Sequence, residues 1–596
     1  MRKYMLKWLI NALKKEIFMK NHLKIIAAIL CMAMLFSFCM TSCSSTGDDD
    51  DTTDVTPANG EKKIVAETKQ FIINSAAADS IEVAYYEDTP EILFISTDVL
   101  TSDFFKGLLA TFSNFEIEET EDTYTIKRDN GAYCSINFVE DTILFNNLDL
   151  FRTIRSDSMS DFLATSYVDS KGNNIYFETT SHKDIAGSHT YLDLAGHSIP
   201  LDIYEGKKYI PLQTVNDVFL VPYNFGCLYN GQDVYLTQAG TIDPSVMEQY
   251  YSVGPAERSE ELARFTFNEF ALAMELNYGL QDEHGVNVGF SLYLYNSGLY
   301  EDLISPDAKK SSHALASLAY GYLADKHTAL SMPSPYSGST ELDKTLVEID
   351  PTFANYYKLM AEISTTRAEV MPGGTPAYQE IGNTAYVTFD SFTLDPIRFQ
   401  DYSEASLQAA DTFGLIIYAH SMITREDSPI ENVVLDLSCN GGGSADAAIY
   451  VISWMLGYCD LSMTNPMTDS FSTTSYKADV NLDGVFDSKD TITDKNLYCI
   501  TSPVSFSCGN LVPALLKESG RVTILGGTTS GGACAVNYLT LADGSAIQFS
   551  SPKHLTVVSN GSYYTIDRGV EPHYYFTKFE NYFERNSLTE FINALR

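Results

Sequence analysis

Two short segments carry residue types that can do chemistry, each placed where an apolar run gives way to a turn. In the first, Val433-Val434-Leu435-Asp436-Leu437 leads into Ser438-Cys439-Asn440-Gly441-Gly442-Gly443. Consecutive glycines leave backbone N–H groups unhindered, and such groups can hold either a phosphate or the oxyanion of a tetrahedral intermediate. The phosphate reading needs a Walker lysine or a spaced Gly-x-Gly-x-x-Gly, and neither is present. In the second, an apolar run over 497–501 is followed by Ser502-Pro503-Val504-Ser505-Phe506-Ser507-Cys508-Gly509-Asn510. A serine entering a helix sits where the dipole and free N–H groups stabilise negative charge, which suits a nucleophile. The same position suits a plain N-cap. A thiol nucleophile at Cys508 is a further alternative.

A third segment has the spacing of a cation site. Asp479-Val480-Asn481-Leu482-Asp483-Gly484-Val485-Phe486-Asp487-Ser488-Lys489-Asp490 fits an EF-hand-type or dockerin-type calcium loop, with oxygen ligands at positions 1, 3, 5, 9 and 12 and glycine at 6. The side-chain ligands would be Asp479, Asn481, Asp483, Asp487 and Asp490, with Val485 giving its carbonyl. Aspartate at the last position, in place of glutamate, need not bind through both oxygens. The bland alternative is an acidic solvated loop. The expectation is a structural Ca2+ that clamps an insertion next to the active site.

These segments must be positioned by the elements around them. Strands are expected over 385–389, 433–437, 497–501 and 522–525, and helices over about 404–420, 445–456 and 509–518. Strands separated by helices imply βαβ crossovers, hence an α/β core with a mostly parallel sheet whose site gathers at the strand C-termini. Upstream, 62–240 reads as short alternating runs broken by Gly, Asn and Asp, a β-rich texture. Within it, stretches around 85–105 and 191–235 echo each other, and the second resembles the N-terminal repeat of copper amine oxidases. A helical segment over 244–335 carries Asp325-Lys326-His327-Thr328, and the α/β core then occupies 336–596 with the calcium-loop insertion at 479–490.

Taken in order, the motifs between 325 and 572 resemble the tail-specific, or C-terminal processing, serine peptidase family in its tricorn-like branch. Asp436-Leu437-Ser438-Cys439-Asn440-Gly441-Gly442-Gly443 is similar to that family's Asp-Leu-Arg-x-Asn-x-Gly-Gly turn, and 501–510 to its nucleophile segment, with Ser507 matching the attacking serine. Ile524-Leu525-Gly526-Gly527-Thr528-Thr529-Ser530-Gly531 and Gly569-Val570-Glu571-Pro572 resemble its closing Gly-x-x-Thr and Gly-Val-x-Pro elements. The resemblance implies an acyl-enzyme on Ser507, oxyanion N–H donors at Gly442 and Cys508, and no catalytic cofactor. The likeness of Cys508 to the small residue after the family serine speaks against a thiol nucleophile. Many members take a lysine base just after the Gly-x-x-Thr element. Gly532 stands there with no lysine near, which excludes the serine–lysine version. The tricorn-like branch uses an upstream histidine instead, and 325–328 resembles its Asp-x-His-Thr element. His327 is therefore expected as general base, a role that a near-neutral pKa fits. The partner that orients the base is, in that branch, a glutamate shortly before Gly-Val-x-Pro. Ile566 occupies that place here, so the expectation passes to Asp567, with Glu571 and Ser505 as alternatives.

A chain of 596 residues is too long for one hydrophobic core, and its hydrophobic fraction of 45% is ordinary for globular proteins. The formal charge of −39 makes nucleic acid a poor partner. Lys20 and Lys24 precede an apolar run over 25–38 that reads as a signal peptide, too short for a secure membrane span. Met40-Thr41-Ser42-Cys43 resembles a bacterial lipobox, which implies a lipoprotein signal peptide over 1–43 whose Cys43 is diacylated and becomes the new N-terminus. The tether over 44–61, with its acidic run at 48–51, resembles surface-export signals of Bacteroidetes-type lipoproteins. The expectation is an exported lipoprotein, held to the outer membrane or cell surface through Cys43 and acting on peptide or protein substrate. Beyond the leader, Cys134, Cys227, Cys439, Cys459, Cys499, Cys508 and Cys534 show no pairing pattern, and the absence of Cys-x-x-Cys and His-Glu-x-x-His makes zinc unexpected. The rival reading is a catalytically inactive peptidase-fold lipoprotein that binds peptide or glycan.

Overall fold

Side chains along a strand point alternately to opposite faces, and the apolar runs of the C-terminal half use both. The computed structural model describes residues 63–101, 115–153, 163, 175–185, 187–252, 257–286, 288–394 and 411–595. Cys43, the leader and the tether lie outside the described residues. A six-stranded sheet follows chain order: β1 (Tyr378–Ile381), β2 (Thr384–Thr388), β3 (Asn432–Asp436), β4 (Asn496–Thr501), β5 (Val522–Gly526) and β6 (Tyr574–Tyr575). β1 and β2 are an antiparallel hairpin, and every later pair is parallel. The helices α1 (Thr412–Ile423), α2 (Ala445–Leu456) and α3 (Cys508–Glu518) make the crossovers from β2 to β5. Right-handed crossovers in an unbroken strand order place all three on one face. Val433, Leu435 and Cys499 accordingly share a core with them. Val434, Tyr498 and Leu525 face the other way, onto the helix Pro351–Val370 and α4 (Arg585–Ala594). Of the helix expected over 404–420, residues 404–410 lie outside the described residues and the rest is found in α1, where the Asp411 side chain caps the first turn by accepting the Gly414 N–H at 3.0 Å.

The C-terminal half also holds a second sheet, antiparallel throughout, so a mostly parallel arrangement describes one of its two sheets. Its strands run in the order Ala329–Met332, Ala546–Ser559, Cys459–Asn465, Ser470–Ala478 and Phe177–Ile185, with Cys534–Thr540 and Ser562–Thr565 also paired to Ala546–Ser559. Further upstream, Asp202–Tyr204, Lys207–Pro211, Phe94–Ser96, Ala77–Tyr86, Ile64–Asn74, Val234–Gln238 and Phe225–Tyr229 form a seven-stranded sheet. The two stretches that echo each other in sequence interleave there, since Phe94–Ser96 pairs with Lys207–Pro211. A five-stranded antiparallel sheet lies beside it in sequence, between Phe115–Glu119 and Thr190–Asp193. Among the described residues no helix is long and apolar enough to cross a membrane.

Candidate active site

The chain leaves β4 at Thr501 and folds back against the turn that follows β3. Ser505 donates its hydroxyl to the Leu437 carbonyl at 2.7 Å, and the Phe506 N–H reaches the Asn440 carbonyl at 3.1 Å. Ser507 comes next, with its N–H on the Gly531 carbonyl at 3.0 Å. Its φ of 56° and ψ of −122° are unusual for a residue with a Cβ. Strain of about 1–3 kcal/mol persists only where the surroundings impose it. Ser507 stands at the N-cap position of α3, yet its side chain makes no capping hydrogen bond. The plain N-cap role therefore fails, and the partly exposed hydroxyl is uncommitted.

Close approach explains the glycines. A Cβ on Gly442 would stand 2.6 Å from Ser507 Cβ, and one on Gly532 would stand 2.9 Å from the Ser507 nitrogen. The N–H groups of the glycine turn are mostly taken. Gly441 donates to Asp390, Ser444 to Phe392, and Gly442 to the Asn440 side-chain oxygen at 2.9 Å. This corrects the expectation for Gly442, whose N–H already has a partner. Next to Ser507, the Gly443 and Cys508 amides have no partner among the described residues. The Cys508 thiol is itself buried, donates to the Gly443 carbonyl at 3.2 Å, and has its pKa pushed up to about 12 by burial. A thiol of that kind supplies almost no thiolate.

The antiparallel sheet delivers the histidine. Asp325 accepts the His327 N–H at 3.0 Å and the Thr328 hydroxyl at 2.6 Å, which sets the turn. Strand Ala329–Met332 then pairs with Ala546–Ser559, and Gln548 donates to the His327 carbonyl at 2.7 Å. The imidazole, 5 % exposed, lies against the ring of Phe506, with centroids 4.6 Å apart, one residue from the serine. No hydrogen bond joins it to Ser507, and its Nδ1 is buried with no partner. Burial lowers its pKa from the usual imidazole value, opposed by the negative charges of Asp325 and Asp567.

Asp567 does not orient the imidazole by a hydrogen bond, which corrects its expected role. Its Oδ1 accepts the N–H groups of Gly532 at 3.2 Å and Ala533 at 3.1 Å, so it braces the loop behind Ser507 and acts on His327 through charge. Of the alternatives, Glu571 is exposed and Ser505 is bound to Leu437. A lysine is nevertheless at the site. Lys326 Nζ donates to the Ser530 carbonyl at 3.0 Å and lies over the rings of Phe506 and Tyr356, 5.2 and 5.5 Å from their centroids. Gly532 excludes a lysine close in sequence to the Gly-x-x-Thr element, whereas the fold brings this one across from the turn that carries His327. Burial lowers its pKa too.

The fold thus gathers Ser507, Gly442, Cys508, His327 and Asp567 around one loop system. The segment 479–490 is elsewhere: it precedes β4, whereas Ser507 follows it, so the length of a strand separates them and the loop is not next to the site. Tyr278 contributes a group that sequence reasoning missed, a fully buried hydroxyl without a partner that feels the charges of Asp325 and Asp567. Its place at the end of the helix Glu260–Asn277 carries no sequence signal for that neighbourhood.

Residues 383–576 match the family model of peptidase family S41. A Chlamydia pneumoniae protein, CPj1016/CpB1054, is 28% identical over 102 residues, which is 17% of this chain and 16% of that protein's length. Among solved structures, mature CPAF is similar at 11% identity over 56% of this chain and 97% of its own, with a TM-score of 0.36. The photosystem II D1 C-terminal processing protease is 20% identical over 34% of this chain and 45% of its own, with a TM-score of 0.25. The tricorn protease is 11% identical over 81% of this chain and 47% of its own, with a TM-score of 0.29. The glycine turn, the strained serine and the loops behind it all fall within 383–576, the part of the chain that matches this family model.

Proposed function

We propose that the chain is a serine peptidase that hydrolyses peptide bonds through an acyl-enzyme on Ser507, with His327 as general base. The observation that carries this reading is the strained Ser507, whose hydroxyl caps nothing although it heads a helix. Ser507 Oγ attacks the substrate carbonyl carbon while His327 accepts the hydroxyl proton. The resulting oxyanion is stabilised by the Gly443 and Cys508 N–H groups. Collapse of the tetrahedral intermediate breaks the C–N bond, and the proton held by His327 passes to the leaving amine. Water then attacks the ester with the same base and returns Ser507. The neutral imidazole favoured by burial is the form that can accept a proton. Asp567, adding negative charge without a bond to the ring, favours the imidazolium as it forms.

The test is intact-mass detection of a fluorophosphonate adduct on the chain lacking 1–43. An adduct on the parent that is lost in both Ser507→Ala and His327→Ala, and kept in Lys326→Met, is the expected outcome. Loss in Lys326→Met with retention in His327→Ala would transfer the base role to Lys326. Absence of an adduct on the folded parent would favour an inactive binding protein. We further propose that the mature chain is lipid-anchored at Cys43; the mass of full-length material from an exporting bacterial host should begin at a diacylated Cys43, and an unmodified N-terminus would overturn this.

A further inference from the structure

The hydrogen bonds of segment 479–490 leave one oxygen over. The loop is folded by its own side chains. Asp479 Oδ2 accepts the Gly484 N–H at 2.9 Å, Asn481 Oδ1 that of Asp483 at 2.8 Å, and Asp483 Oδ1 that of Val485 at 2.9 Å. Asp490 accepts from Val480 at 2.8 Å, Asn481 at 3.1 Å and Asp487 at 2.9 Å. These bonds alone would describe an ordinary polar turn. Asp479 is only 2 % exposed, however, and its Oδ1 is buried with no partner. Since Oδ2 is held by Gly484 of the loop itself, the unpaired oxygen belongs to a carboxylate turned towards the loop. A buried carboxylate oxygen left unsatisfied is costly. Asp479, Asp483, Asp487 and Asp490 bring four negative charges into the loop, and among the described residues no lysine or arginine forms an ion pair with any of them.

We propose that residues 479–490 bind one calcium ion through Asp479, Asn481, Asp483, the Val485 carbonyl, Asp487 and Asp490, and that the ion fastens the N-terminal half of the chain to the peptidase domain. The donors are all oxygens and include an amide and a backbone carbonyl, a set suited to calcium, which accepts six to eight oxygens in flexible geometry, more than to magnesium. The carboxylates do not already stand together as a metal-holding group. Each has lone pairs beyond those used by backbone N–H groups, so a cation can draw them in without unmaking the turn. The anchor points define the role. The Asp479 N–H donates to the Tyr176 carbonyl at 3.0 Å, and the Tyr450 hydroxyl of α2 donates to the Asp479 carbonyl at 2.9 Å. The strand leading into the loop, Ser470–Ala478, carries Phe177–Ile185 on its edge. An ion at the loop would therefore hold three things in register: the edge strand from the N-terminal half, its neighbour, and α2.

The experiment is calorimetric calcium titration of the chain lacking 1–43, stripped with chelator, together with thermal unfolding and amide exchange. One calcium per chain, a rise in Tm of several degrees, and slower exchange in both Ser470–Ala478 and Phe177–Ile185 are expected. Asp483→Ala, at an exposed position, should fold and lose calcium affinity at least tenfold, and Asp479→Asn should do the same while keeping the Gly484 contact. Magnesium at equal concentration should not reproduce the Tm shift. Absence of calcium binding by the folded parent, or equal affinity in Asp483→Ala, would overturn the proposal. Fluorophosphonate labelling of Ser507 should persist in Asp483→Ala, so this result stands apart from the peptidase reading.

Discussion

A serine whose hydroxyl caps nothing and an imidazole kept neutral by burial divide the proposed chemistry between them. Burial lowers the His327 pKa below its ordinary 6.5, so its base form persists to lower pH than that of a free imidazole. The acid limb of Ser507 acylation is therefore expected below pH 6.5, read by fluorophosphonate labelling rate against pH; a limb above that value would point to a different base. The sign for stability follows from the same shift. With the folded pKa below the unfolded one, the unfolded chain takes up the proton first, so this group's contribution is present above pH 6.5 and is lost as the pH falls towards the folded pKa. The unpaired Nδ1 beside Phe506 leaves the ring oriented by packing and backbone contacts alone.

Among the elements, the turn after β3 does the positioning, and a buried ion pair anchors its start. Asp436, at the end of β3, accepts from Arg585 of α4 and from the Ser438 N–H at 3.0 Å, and Arg585 also lies over the Tyr386 ring, 4.5 Å from its centroid. Removing one partner leaves the other charge buried and unpaired, which costs about 3–5 kcal/mol. Arg585→Met should therefore lower stability by about that amount in chemical denaturation, whereas a loss under 1 kcal/mol would mean the turn holds without the pair. Gly442→Ala tests the approach itself. At a φ of 105°, with a Cβ 2.6 Å from that of Ser507, the variant must displace Ser507. Labelling of Ser507 should fall by at least tenfold while the chain still unfolds cooperatively; unchanged labelling would mean the turn does not set the serine's position.

At the scale of the whole molecule, the N-terminal half is sewn to the C-terminal half by buried polar bonds and a shared sheet. Gln213 donates to the Thr540 carbonyl, Asn537 donates to the Val221 carbonyl at 2.9 Å, and Asn465 donates to Asp149 at 2.8 Å. Strand Phe177–Ile185 completes an edge of the antiparallel sheet that delivers His327. Each of these groups, left buried without its partner, costs about 1–3 kcal/mol. A fragment beginning at residue 241 should accordingly lose cooperative unfolding by calorimetry or aggregate; a fragment with a sharp transition at the parent's Tm would show that the two halves are energetically independent.

The sequence by itself determined the local pieces: the strand-to-turn junctions at 437–443 and 501–510, the alternation of strands and helices beyond 383, and the twelve-residue spacing of 479–490. Each is legible because it depends on contacts within a few residues, or on a period of two or of 3.6. What only the tertiary structure decided involves distant partners. Lys326 reaches Ser530, Ser505 reaches Leu437, and Asp567 turns to Gly532 instead of His327. The antiparallel sheet joins Phe177–Ile185 to strands hundreds of residues downstream. Sequence spacing carries no record of such pairings, because a hydrogen bond between distant segments is set by how the cores pack and not by the composition of either segment.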